Sequence, residues 1–167
     1  DSFPKIYTLK SLNISNNKLN AGTVSVFENI SRLENITDLD LSNNPIQNLL
    51  VITDKYKIAS SYGNGHYYNQ QEEIKPMFPL LEYLNASNCS LRYIQSLASC
   101  KMLKRLSITN NSIGDITTLS SLNELTELYA GYNSISIISS LKNLSKLERL
   151  SLPHNTITTA DAISFLK

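Results

Sequence analysis

The chain has 167 residues, of which 41% are apolar, 17% charged and 8% aromatic, and its formal net charge is +1. That length suits one domain, and the near-neutral balance gives no global electrostatic case for binding nucleic acid or an anionic membrane. The longest clean apolar run, Leu49-Leu50-Val51-Ile52, falls far short of the roughly 20 residues needed to cross a bilayer, and no signal or transit segment is readable. The chain opens at Asp1 and stops at Lys167 just after another repeat has begun, which reads as a fragment of a longer protein or a processed chain.

From the N-terminus onward one phrase recurs, L-x-x-L-x-L-x-x-N-x-L, with Ile, Ala or Cys at some places. It occupies Leu9–Leu19, Ile36–Ile46, Leu81–Leu91, Leu103–Ile113, Leu125–Ile135 and Leu147–Ile157. Within each copy the segment x-L-x-L-x alternates, which is the period of a strand with one buried face. The leucines are expected to point inward. The Asn that follows sits where the chain turns, placed to hydrogen-bond unpaired backbone groups of adjacent turns. Asn17, Asn44, Asn111, Asn133 and Asn155 should form that ladder, with Cys89 in the same place in the third copy.

The connections between copies differ. After the first copy, residues 21–33 read as an amphipathic helix. After the second, the step from Ile36 to Leu81 is 45 residues, so residues 47–79 hold either an insertion or a degenerate repeat. From Leu81 to Leu103, Leu125 and Leu147 the step is 22 each time. These regular copies continue with an apolar residue every third position, as at Ile113, Ile116, Leu119, Leu122 and Leu125. That spacing suits a tight 3₁₀-like or extended segment and not a long α-helix. Residues 159–166 read as the start of a second helix.

A repeat of this length and pattern resembles the leucine-rich repeat. The regular copies resemble its 22-residue class, which includes the protein-phosphatase-1 regulatory subunit family, axonemal dynein light chain-like proteins and bacterial internalins. The first copy is more similar to the longer ribonuclease-inhibitor class. The resemblance covers about Leu9–Leu49 and Leu80–Leu166. It implies a single α/β solenoid over residues 1–167, curved, with a parallel sheet on its concave face. The convex face would carry short 3₁₀, irregular or helical segments. It also implies binding of a protein partner through the concave strands and flanking loops, as scaffold, adaptor or regulatory subunit. The alternatives are an internalin-like surface adhesin and a structural component of a cytoskeletal or ciliary assembly.

Projected outward, the strands leave small polar residues in the N-terminal half and gather Tyr83, Arg105, Glu127, Tyr129, Tyr132, Arg149 and His154 in the C-terminal half. Tyr and Arg combine large contact area with directed hydrogen bonding and are enriched at binding hot spots. A partner is therefore expected over that half. The competing reading is a solvated face on which Arg105, Glu127 and Arg149 merely pair with one another. Residues 47–79 include Tyr62, His66, Tyr67 and Tyr68 beside Gly and Asn, a composition that suits an adaptable binding loop.

No catalytic, metal or cofactor motif is present, and the two histidines, His66 and His154, fall in distant turns. The sequence therefore reads as non-enzymatic, without cofactor or small-molecule substrate. Cys89 and Cys100 both fall on the inward lattice and read as buried thiols rather than as a disulfide or metal site. The Cys clusters that cap many extracellular repeats of this kind are missing, and Asn13 and Asn85 place glycosylation sequons on the expected concave strands. Both features point to a cytoplasmic location, with a bacterial cell surface or the cytoskeleton or cilium as the alternatives.

Overall fold

The computed structural model describes residues 8–20, 30, 33–49 and 78–158. Within them the chain winds through successive turns. Each turn contributes one short strand: β1 (Ser11–Asn13), β2 (Asp38–Asp40), β3 (Tyr83–Asn85), β4 (Arg105–Ser107), β5 (Glu127–Tyr129) and β6 (Arg149–Ser151). They form one parallel sheet in the order of the sequence, each strand pairing with the next. Register is constant, so Leu12, Leu39, Leu84, Leu106, Leu128 and Leu150 stand in one row.

The alternation explains the core. Leu39, Leu84, Leu106 and Leu128 are buried, as are Leu41, Ala86, Ile108 and Ala130 two positions on. Leu12, Ile14, Leu150 and Leu152, at the two ends of the sheet, are only partly covered. This gradient follows from the architecture: an inner turn is covered on both sides and an end turn on one. On the far side of the sheet the every-third-residue lattice becomes 3₁₀ segments at Gln95–Ser99, Thr117–Ser121 and Ser139–Asn143, burying Leu97, Leu119 and Leu141. Cys100 continues this lattice and is fully buried. The expected helix over 21–33 lies outside the described residues apart from Ile30 and Leu33. The one over 159–166 lies outside them altogether.

The Asn ladder forms at Asn44, Asn111, Asn133 and Asn155, while Asn17 in the first turn donates, among the described residues, only to the Ile14 and Ser15 carbonyls of its own turn. Asn111 Nδ2 donates to the carbonyls of Ala86 and Ile108 at 2.9 and 2.8 Å, and its Oδ1 accepts from the backbone N–H of Cys89 and Leu91 at 3.0 and 2.9 Å. Asn44, Asn133 and Asn155 repeat the scheme. Each side chain thus serves backbone groups of its own turn and of the preceding one, groups that no strand pairing reaches. Cys89 keeps only the donor half: its Sγ lies 3.3 Å from the Leu41 carbonyl.

β2 lies directly beside β3, in the same register as every other pair, although 45 residues separate their turns. A parallel bridge between Asn48 and Tyr93 extends that contact beyond the sheet.

Candidate functional site

Constant register turns the concave face into columns. The first outward column runs Ser11, Asp38, Tyr83, Arg105, Glu127, Arg149, and the second runs Asn13, Asp40, Asn85, Ser107, Tyr129, Ser151. Residues 22 apart in sequence become neighbours about 4.8 Å apart across the sheet. Unlike side chains at one repeat position therefore meet.

In the C-terminal half these meetings are specific. The Arg105 guanidinium lies over the Tyr83 ring, 4.8 Å from its centroid. Arg149 Nη1 donates to Glu127 Oε1 at 2.6 Å, and the Tyr129 hydroxyl donates to Glu127 Oε2 at 3.0 Å. Glu127 is the covered partner, with 19% of its side chain exposed against 63% for Arg149. The hydrogen bond to Glu127 pushes the Tyr129 phenol above its ordinary range, because only the protonated hydroxyl can donate. Of the three charges expected to pair, Glu127 and Arg149 do so, while Arg105 turns to Tyr83.

A further column follows the strands. Asn16, Asn43, Asn88, Asn110, Tyr132 and His154 all have left-handed backbone, with φ between 53° and 57°. Asn tolerates this region well, while bulky side chains rarely occupy it. In the first four turns the Asn amides pair along the column, Asn43 with Asn16 and Asn110 with Asn88. In the last two turns the Tyr132 and His154 rings stack instead, with centroids 4.2 Å apart and planes at 19°. Tyr132 is half exposed and His154 is exposed. Gly131, one residue earlier, has no side chain because the Pro153 ring occupies the space: an added Cβ would stand 2.8 Å from Pro153 Cγ.

The N-terminal half is small, polar and locally satisfied. Asp40 Oδ1 accepts from the Ser42 N–H at 2.9 Å and its Oδ2 from Asn85 Nδ2 at 3.3 Å, while Asp38 Oδ2 accepts from Thr37 Oγ1 at 2.7 Å.

All seven residues expected on the concave half are thus described. Tyr83, Arg105, Glu127, Tyr129 and Arg149 lie on the strands, and Tyr132 and His154 lie on the adjoining left-handed column. Tyr62, His66, Tyr67 and Tyr68 lie outside the described residues. Sequence reasoning missed the exposed apolar residues Tyr93 and Ile137, which share one position of the repeat, and Leu80 and Met102, which share another. The signal was available: each stands beside an apolar residue that already fills the lattice, so it is surplus to the core.

Among the described residues no group of three or more His, Cys, Asp or Glu could hold a metal ion, and no helix is long and apolar enough to cross a membrane. Cys89 and Cys100 are buried and are not joined in a disulfide. Burial pushes the Cys100 thiol up to about 11, which keeps it protonated and unreactive at neutral pH.

One-strand turns in a parallel sheet, 3₁₀ segments behind it and an Asn ladder between them define a leucine-rich-repeat solenoid, and the chain is a leucine-rich-repeat protein. Two family models described as leucine-rich repeats match it, at residues 8–33 and 99–116. Among solved structures it is similar to an internalin (inlF) from Listeria monocytogenes, at 25% identity and a TM-score of 0.63, over 96% of this chain and 46% of that one. It is similar to internalin C2 from the same species, at 26% identity and a TM-score of 0.62, over 96% of this chain and 69% of that one. It also resembles the ectodomain of the Arabidopsis thaliana receptor kinase GASSHO1/SCHENGEN3, solved in complex with CASPARIAN STRIP INTEGRITY FACTOR 2. That likeness is 27% identity and a TM-score of 0.61, over 95% of this chain and 17% of that one. The chain therefore spans less than half the length of two of these three structures. Comparison with the curated proteins found no match.

Proposed function

We propose that this chain is a recognition module, a scaffold, adaptor or regulatory subunit that docks a protein partner on β3–β6 and the column beside them, without chemistry of its own. The observation that carries this reading is the Tyr132–His154 stack. Both rings occupy a left-handed backbone position that Asn fills in the four preceding turns, and both face solvent. A side chain that suits its backbone poorly and keeps its apolar rings wet contributes little to the fold, and such outliers point to function. Tyr129, Arg149 and Arg105 on the adjoining strands supply further hot-spot residue types. The plant receptor ectodomain solved in complex with its factor supports a bound partner as the use of such a repeat domain. The proposed location is the cytoplasm, where two buried thiols without a disulfide are at home.

The test joins stability with capture. Tyr132→Asn with His154→Asn removes a solvent-facing stack but suits the backbone, so the unfolding free energy should move by no more than about 0.5 kcal/mol. The partner that the native chain captures from lysate should be lost by this variant, and by a folded chain carrying Tyr129→Ala, Tyr132→Ala and Arg149→Ala. Equal capture by native and variant chains removes the site from the concave half. A stability loss above about 1 kcal/mol assigns the stack to the fold.

A second reading, a bacterial surface adhesin, is favoured by the likeness to the two Listeria internalins. Binding of the folded chain to intact eukaryotic cells, with nothing captured from lysate, would decide for it.

A further inference from the structure

Concave charges are unevenly neutralised. The ion pairs among the described residues are Glu82–Lys104, Glu124–Lys146 and Glu127–Arg149. Asp38 and Asp40, at both outward positions of β2, belong to none of them. Their hydrogen bonds come from Thr37, Ser42 and Asn85, neutral groups that fix the carboxylates without cancelling their charge.

Arg105 on β4 is the counterpart. The nearest carboxylate along its column is Glu127, whose two oxygens are taken by Arg149 and by the Tyr129 hydroxyl. Among the described residues the Arg105 guanidinium makes no hydrogen bond or ion pair and rests on the Tyr83 ring. A planar fork held over an aromatic face, with its donors open, is arranged to take a carboxylate two-handedly.

The two features are two strand spacings apart, about 10 Å. Between them the Tyr83 phenol is pushed up chiefly by burial; Asp40 and Asp38 add to the rise and Arg105 opposes it, as a ring between an acidic and a basic flank requires.

We propose that the concave face takes an extended peptide segment of its partner, with a basic side chain over Asp38 and Asp40 and a side-chain carboxylate on Arg105. An extended chain advances about 3.3 Å per residue, so the two charges lie two to four residues apart along the segment. This rests on the concave face being the recognition surface, extends that surface one strand beyond β3–β6 to β2, and adds the chemistry of the occupant. A segment of opposite polarity meets like charge at both positions, which sets the direction in which the partner crosses the strands.

The experiment is a selection from a random dodecapeptide display library on the native chain. It is repeated on Arg105→Glu, on Asp38→Asn with Asp40→Asn, and on Tyr132→Asn with His154→Asn. The native pool should be enriched in peptides with Lys or Arg two to four residues from Asp or Glu. A synthetic representative should weaken about tenfold on Arg105→Glu and regain affinity there when its acidic residue is replaced by Lys. Recovery of binding shows that the variant is folded. Peptides that need the concave residues but lack the charge pair overturn this inference and leave the recognition surface standing. No enrichment, or enrichment indifferent to every concave substitution, overturns both.

Discussion

Two stretches of the solenoid use the same repeat to different effect. From β4 to β6 every ladder position is Asn, and its Oδ1 accepts a backbone N–H of the turn before, that of Leu91, Ile113 or Ile135. At the junction of β2 and β3 the ladder residue is Cys89, which has no such oxygen. The Ile46 N–H, at the equivalent place, donates to the Asn44 carbonyl at 2.8 Å, and Gln47 adopts a left-handed φ of 65°. Gln47 then donates to the Cys89 carbonyl, and its own carbonyl accepts from Arg92. Asn48 Oδ1 and Ser96 Oγ are left buried without a partner among the described residues. The ladder Asn therefore has two separable duties, donor and acceptor, and where the second is missing the backbone of the turn before takes a different course.

The largest effect should come from breaking the regular stretch. Asn111→Ala removes the partner of five backbone groups, all polar and little exposed, and should cost about 3 kcal/mol. Urea unfolding measures it, and a loss below about 1 kcal/mol would show that water replaces the ladder.

Next comes the packing that carries the aromatic stack. Gly131→Ala drives a methyl group into Pro153 and should destabilise by about 2 kcal/mol, with most of the loss recovered when Pro153→Ser is added. Failure of that recovery in a thermal melt would place the strain elsewhere.

The smallest effect sharpens the contrast at the junction. Cys89→Asn supplies the missing oxygen and should stabilise by about 1 kcal/mol, with slower hydrogen exchange at the Ile46 N–H. An unchanged midpoint would assign the shape of the junction to the long connection and not to residue 89.

Much of this was legible in the sequence because the repeat writes each structural duty at a fixed offset. The Leu alternation gives the strands, the period of three gives the 3₁₀ segments, and the recurrent Asn at one phase gives the ladder. The side-chain pairings were less legible. Spacing places Arg105 and Glu127 as neighbours, but whether Arg105 turns to Glu127 or to Tyr83 depends on Arg149 and Tyr129 having saturated the carboxylate first. The left-handed column was open to reading and went unread: the ladder Asn is preceded by Asn16, Asn43 and Asn110 in three copies, and Asn88 precedes Cys89. Such a run marks positive φ, against which Tyr132 and His154 stand out. The consequence of Cys89 could not be read, because it lies in the backbone of another turn.

The direct pairing of β2 with β3 bears on how such a chain can change. Closing a connection costs free energy that grows only with the logarithm of its length, about 0.6 kcal/mol for a doubling. The step from one repeat to the next is here 45 residues where regular turns use 22, yet Asp38 faces Tyr83 in the register found everywhere else. To the sheet, the two lengths are close to equivalent. The stretch of sequence between one strand and the next is thus nearly neutral ground on which new residues can accumulate while the inner face, and whatever it recognises, stays in place.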